Sequence, residues 1–237
     1  MNDSSKPELI LEQLWNTYGS SIVPELDIKV LSNDRLIEEF FFIVLGGYGI
    51  TYEQNNSALE ILTQKNLFNP HYYQNKDTLI QTTEKLRNEL NTKQFGPLTK
   101  EGELRKYRFV NIKAKTLAYA GHWLWNECQW NIKLKLEELN SLNERTWLCT
   151  CPGVGLKSAS WFLRNTGINY DYAVLDVHVI RFLKKIGFDI PDKITDTTYL
   201  HLEDLFRKKC KSIKVSLGSM DYLLWLLGRN GYIDYVR

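Results

Sequence analysis

Apolar positions along this chain recur at the three-and-four spacing of helices, and nowhere alternate with period two over the length of a strand. Leu9, Leu11, Leu14 and Trp15 are the apolar residues of a first helix, which Pro7 opens and which runs to about Tyr18. Residues 19–33 form a connector, and Asn33 or Asp34 is placed to cap the next helix. That helix carries the run Phe40 to Leu45, which is so densely apolar that it predicts burial on most sides. Gly46-Gly47-Tyr48-Gly49-Ile50 interrupts it, and Asn55 or Asn56 can cap a helix from Ser57 to about Asn66. Further helices are expected at 77–91, around Leu117–Trp125, at 198–214, and from a Ser219 cap to about Gly228. The expected fold class is all-α.

Residues 146–181 read as helix, tight turn, helix, short connector, helix. Ser141 and Glu144 have the spacing of a capping box for a helix from about Leu142 to Cys149. Pro152, Gly153 and Gly155 break that helix; a second opens near Leu156 and runs to about Thr166, with Gly167 as its stop. A P-G-V-G turn bares backbone N–H groups at a helix start, where they bind phosphate without base preference. Gly153, Val154 and Gly155 are therefore candidate phosphate binders. Lys157 sits in the first turn, where a cation opposes the helix dipole, so stability alone does not account for it. Asp176 lies just ahead of the apolar run Val177–Leu183 and is placed to cap that helix.

A length of 237 residues suits one large domain or two small lobes, and 43% apolar content with 13% aromatics excludes disorder as the main state. Net charge is only +2, so a nucleic-acid surface has to come from local clustering. Residues 100–115 supply one: Lys100, Arg105, Lys106, Arg108, Lys113 and Lys115 stand against Glu101 and Glu103, with Tyr107 and Phe109 interleaved. Taken alone, such a run is a solvated helix face; the hairpin downstream shifts the reading toward DNA contact. Arg207, Lys208, Lys209, Lys211 and Lys214 form a second basic cluster. Four cysteines, at 128, 149, 151 and 210, make no C-x-x-C, which argues against zinc or an iron–sulfur cluster and for free buried thiols. Four scattered histidines with no H-E-x-x-H give a metal-dependent nuclease no ligand set. No signal peptide is evident and Phe40–Leu45 is far too short to span a bilayer, so a cytoplasmic location is expected.

The hairpin resembles that of the helix-hairpin-helix DNA glycosylases, whose pattern L-x-x-x-P-G-[VI]-G-x-K is met by Leu148, Pro152, Gly153, Val154, Gly155 and Lys157. Their D-x-H-[VI]-x-R segment is met by Asp176, His178, Val179 and Arg181. Tyr107–Lys115, Lys157–Arg164 and Met220–Trp225 are similar to segments of archaeal-type 8-oxoguanine DNA glycosylases with AP lyase activity. The resemblance implies two helical lobes flanking a DNA-binding cleft. Lobe A would hold about 1–33 plus 168–237, and lobe B about 34–167 with the hairpin at 142–166. It implies an enzyme that removes an oxidised purine such as 8-oxoguanine from double-stranded DNA. Lys157 would attack C1′ of the sugar to give a Schiff base, and Asp176 would stabilise the positive charge that develops there. Arg181 would join Gly153, Val154 and Gly155 on phosphate. No cofactor is implied: endonuclease III-type relatives carry a cluster after the catalytic region, and this cysteine pattern provides none. The same reading gives a nucleoid-associated monomer.

In such enzymes a loop near 46–55 inserts a side chain where the flipped base has left, with Tyr48, Ile50, Tyr52 and Gln54 as candidates here; an ordinary glycine-rich turn with packed aromatics is the other reading. Trp161, one turn past Lys157, either stacks on the extruded base or packs with Phe162 and Leu163. Asp221, Tyr222 and Trp225 fall where the archaeal-type enzymes line the base pocket, while His178 reads as structural. The tail Gly231–Arg237 departs from that branch, which commonly ends in lysine. The base is thus open: an oxidised purine is the default, and another modified base, including a phage-type modified pyrimidine, is the alternative. A non-catalytic hairpin DNA-binding protein is the rival class, and it would tolerate Lys157→Ala.

Overall fold

The computed structural model describes residues 6–19, 21, 30–139 and 143–232. Ser141 of the expected capping box, most of the 19–33 connector and the end of the tail lie outside the described residues. The described residues hold α1 (Lys6–Leu14), α2 (Asn33–Leu45), α3 (Tyr52–Gln64), α4 (Lys76–Leu90), α5 (Val110–Cys128) and α6 (Ile132–Glu138). They continue with α7 (Glu144–Leu148), α8 (Leu156–Asn165), α9 (Val177–Lys185), α10 (Asp196–Ser212) and α11 (Leu217–Arg229). Among them there is no strand, only an isolated bridge between Phe95 and Arg105. The fold is all-α, as the apolar spacing predicts.

The chain divides into two compact units, one of Met1–Lys29 with Leu163–Arg237, the other of Val30–Phe162. In the second, α2 is the central element. Every residue from Phe40 to Leu45 is buried. Phe40 stacks on Trp123 at 5.8 Å and Phe41 on Phe68 at 4.1 Å. Gly121 on α5 lies against the Tyr73 ring, which a larger residue would overlap. In the first unit, Gly228 on α11 packs against His178 on α9, and Glu8 of α1 accepts bonds from Lys209 and Ser212 of α10 at 3.2 Å each.

Helix starts differ from expectation wherever several residues compete for the cap. Ser32, not Asn33 or Asp34, caps α2 by accepting from Arg35 N. Asn33 is drawn away by a long-range partnership, donating to Trp130 O at 3.0 Å and accepting from Lys133 N at 3.2 Å. Thr51 caps α3, so that helix begins at Tyr52, five residues ahead of Ser57. Asn55 is instead buried inside it, where its amide donates to Phe42 O. Ser216, not Ser219, caps α11, and α7 starts at Glu144 after an Asn143 whose side chain makes no capping bond. The first helix passes into a π-helical turn at Trp15–Gly19 before reaching its expected end.

Candidate active site

The hairpin is α7, the turn 149–155 and α8. It rests on α5 through tryptophans. Trp123 Nε1 donates to Thr150 Oγ1 at 3.1 Å, Trp147 Nε1 donates to Glu127 Oε2 at 3.1 Å, and the two indoles meet at 4.8 Å. Val154 is buried and seats the turn. The two glycines have different reasons. Gly153 has φ +83° and faces the Thr116 methyl, so the fold itself requires glycine there. Gly155 has open space where a side chain would stand. Among the described residues nothing would meet a side chain there, which leaves the start of α8 open to approach.

That contrast makes a prediction. Gly155→Val should fold, at a cost of about 1 kcal/mol for a poorer N-cap residue. It should weaken binding to damaged and undamaged duplexes alike, by on the order of tenfold, the scale of one lost charge-assisted bond. A filter-binding series on both duplexes checks it; a change in lesion preference with unchanged affinity for plain DNA would contradict it.

Lys157 is the second residue of α8 and is half-buried. Among the described residues its amine makes no hydrogen bond and no ion pair. One turn on, Trp161 is half-buried and meets Phe42 edge-on at 5.4 Å, whereas Phe162 and Leu163 are fully buried and carry the packing. A second lysine, Lys113 of α5, lies close to Lys157. Burial, and then the charge of Lys157, push the Lys113 amine down to about 8. Its Nζ donates to Val44 O at 2.8 Å and to Gly46 O.

The 46–50 loop puts Tyr48 in the open at 91% exposure, and Tyr52 is also exposed. Gln54 leaves the insertion candidates. Because α3 starts early, Gln54 falls inside its first turn, is buried, and donates through Nε2 to Lys106 O at 3.2 Å.

In the other unit Asp176 caps α9, and both bonds, from His178 N and Val179 N, go to Oδ1 at 2.9 Å. Oδ2 makes no hydrogen bond among the described residues, so capping leaves one oxygen for chemistry. The segment before Asp176 is fastened by one face of α10. Tyr199 OH donates to Ala173 O at 2.6 Å and accepts from Leu175 N at 3.3 Å. Glu203 accepts from Ala173 N at 3.0 Å, and Arg207 donates to Asp171 O at 2.9 Å. Sequence reading missed this ladder; its signal is the four-residue spacing of Tyr199, Glu203 and Arg207 on one helix. Arg181 is exposed on α9.

Asp221 does not stand open to solvent. It is fully buried and bonded to Arg164 of α8, whose guanidinium also lies over the Tyr222 ring at 5.4 Å. Tyr222 packs on Trp225 at 5.8 Å. Burial pushes the Asp221 carboxyl up to about 7, with Arg164 pulling the other way, and among the described residues its Oδ1 has no hydrogen-bond partner. Arg164→Met should therefore cost about 3–5 kcal/mol at pH 8, where it strands a buried carboxylate. The sign with pH follows from a folded pKa above the unfolded one: the loss should shrink toward pH 5, where the carboxyl is protonated. Urea melts at the two pH values check this, and an equal loss at both would contradict it.

The four cysteines are free, and burial pushes the Cys128, Cys151 and Cys210 thiols up, away from reactive thiolate. Among the described residues no three His, Cys, Asp or Glu side chains gather as a metal site, and no helix is long and apolar enough to cross a membrane.

A family described as 8-oxoguanine DNA glycosylase (Ogg-HhH) matches residues 54–215. The chain is 32% identical over 123 residues to an 8-oxoguanine DNA glycosylase/AP lyase of Saccharolobus solfataricus, a match covering 51% of this chain and 58% of that relative's length. In fold it is similar to the Methanocaldococcus jannaschii 8-oxoguanine glycosylase/lyase solved with a 15mer DNA containing 8-oxoguanine: TM-score 0.69, 22% identity, 94% of this chain and 97% of that one. It is also similar in fold to an H. pylori 3-methyladenine DNA glycosylase bound to 1,N6-ethenoadenine, with TM-score 0.63 at 18% identity over 98% of this chain and 99% of that one.

Proposed function

This chain belongs to the Ogg-HhH family of 8-oxoguanine DNA glycosylases, and on that premise we propose that it excises an oxidised purine such as 8-oxoguanine from double-stranded DNA and then cleaves the abasic site as a lyase. The observation that carries the reading is Lys157: an amine in the first turn of the hairpin's second helix, unengaged among the described residues, in a position that stability disfavours. Cleaving the abasic site through a Schiff base needs an amine that can bond to C1′.

The steps balance as follows. The extruded base leaves C1′ with the electron pair of the glycosidic bond and takes up a proton. The Lys157 amine bonds to C1′ and gives up a proton; the C1′–O4′ bond then breaks, O4′ takes up a proton, and a ring-opened protonated Schiff base remains. Loss of a C2′ proton then expels the 3′ phosphate, which cuts the strand. The free oxygen of Asp176 stabilises the oxocarbenium character at C1′ and accepts the amine's proton. Each role is toward the sugar. Gly153, Gly155 and Arg181 hold phosphates; Val154, expected to join them, is buried and its N–H donates to Cys151 O at 3.1 Å. Tyr48, exposed on the 46–50 loop, fills the place of the flipped base. Trp161, Tyr222 and Trp225 are the aromatic candidates to stack on the base. The reaction uses an amine and a carboxylate alone and calls for no cofactor, and a monomer bound to the nucleoid in the cytoplasm suffices.

The H. pylori likeness shows that this fold also serves an enzyme bound to an etheno-adduct, so the base is the open term. Base release under single turnover, measured on duplexes that each carry one lesion or modification, tests it. Release of 8-oxoguanine ahead of alkylated purines and modified pyrimidines is expected; preferential release of another base would replace the substrate and keep the chemistry, and release of none would overturn the reading.

A further inference from the structure

The Tyr107–Lys113 segment has no part in the chemistry above, yet its side chains converge on one short loop. Helix α2 ends at Leu45, where Gly46 N still donates to Phe42 O and the later carbonyls are left to side chains. Asn55 donates to Phe42 O at 2.9 Å, Tyr107 to Leu45 O at 3.0 Å, and Lys113 to Val44 O at 2.8 Å and to Gly46 O. Arg108 donates to Gly49 O at 2.8 Å, and the loop closes on itself through Ile50 N to Gly47 O at 3.1 Å. The same Tyr107 hydroxyl lies 2.9 Å from Asn55 Oδ1, so its one proton is shared between the two acceptors and joins two of these struts. Gly49, at φ +74°, sits so close to the Arg108 guanidinium that a side chain there would displace it. At the tip of this braced loop stands Tyr48, 91% exposed.

Lys113 is the strut that needs explaining. It lies in the first turn of α5, where a cation opposes that helix's dipole, and Lys157 nearby adds a second unfavourable charge. What offsets both is the negative C-terminal end of α2, whose carbonyls it binds. A residue held at such cost is there for the loop it fixes.

We propose that Lys113 is a positioning residue which, by bonding Val44 O and Gly46 O, keeps the 46–50 loop in the shape that presents Tyr48 to the duplex. The inference rests on the base-excision reading and names the part of it that prepares the DNA for the chemistry. A bulky exposed aromatic fills a vacated base position only if its loop does not yield; otherwise the cost of opening the stack falls on the loop.

The test uses Lys113→Met, which keeps the stem and removes the ammonium, beside Lys113→Arg and Tyr48→Ser. Two quantities are measured: single-turnover base release from a lesion duplex, with 2-aminopurine next to the lesion reporting base opening, and borohydride trapping on a single-stranded abasic oligonucleotide, which needs no opening. Lys113→Met should slow release and the 2-aminopurine rise by about tenfold or more, on the scale of a few kcal/mol for extruding a base. Trapping on the single strand should stay within about twofold, and Lys113→Arg, which keeps a cation with donors, should recover part of the duplex rate. Tyr48→Ser, which leaves the struts alone, should show the same duplex-only defect and stands in if Lys113→Met does not fold. Equal losses on both substrates, an unchanged duplex rate in Lys113→Met, or full duplex activity in Tyr48→Ser would overturn the proposal. Wild-type protein that releases no base from any lesion duplex would instead remove the excision reading itself.

Discussion

Asp176→Asn should release base from a lesion duplex at least a hundredfold more slowly while remaining as stable as the parent protein to within about 1 kcal/mol. The two halves of this expectation come from the two carboxylate oxygens. Oδ1 accepts from His178 N and Val179 N and starts α9. Asparagine keeps an oxygen for those bonds and caps helices about as well as aspartate. Oδ2 makes no hydrogen bond among the described residues, and it is this atom, with its share of the negative charge, that the amide replaces. A neutral group neither stabilises an oxocarbenium ion nor accepts the amine's proton. Affinity for a duplex carrying an abasic-site analogue should survive, because phosphate contacts do not involve the carboxylate. Single-turnover release, melting temperature and analogue affinity on one preparation separate the roles. Near-normal release from a well-folded Asp176→Asn protein would reduce the residue to a cap.

The second large effect is at Lys157. Lys157→Gln should abolish the borohydride-trapped adduct and lower strand cleavage by on the order of a thousandfold or more, as expected when the nucleophile is removed. Binding to lesion DNA should persist, since the hairpin backbone that would hold phosphate is unchanged. The variant should be slightly more stable, by about 0.3–1 kcal/mol, because a cation is removed from a helix N-terminus. Lys113 gives a further signature. Its amine is held down to about 8 by burial and by the charge of Lys157. Without Lys157 its titration should move upward, which a pH titration followed at the Lys113 side chain by NMR detects. Trapping at parental yield in Lys157→Gln would show that another amine forms the Schiff base.

These effects sort what was legible in the chain from what was not. Helix spacing exposed the all-α class, and Pro152, Gly153 and Gly167 marked the hairpin's limits to within a residue or two, because breakers and apolar period are local signals. Caps were harder. At 32–34 and 51–56 several residues qualify by type, and the choice was made by partners far along the chain, such as Trp130 for Asn33. The early start of α3 then carried Gln54 from the loop into a helix and onto Lys106 O. Lys113 was read only as one cation in a basic run, since its acceptors lie 67 and 69 residues away. Yet a signal was present: Lys113, like Lys157, sits in a first helical turn against the dipole. Asp221 was assigned to a base pocket from its place in a motif; its complete burial against Arg164 is a tertiary fact that no spacing encodes.

The most direct test of the account is the site of the covalent adduct. Wild-type protein is incubated with an 8-oxoguanine duplex, reduced with borohydride and digested, and the DNA-bearing peptide is sequenced by mass spectrometry. The account predicts a single adduct on the Lys157 amine, even though the Lys113 amine lies nearby and is pushed down to about 8. An adduct on Lys113 or any other amine, or base release with no adduct at all, would contradict it.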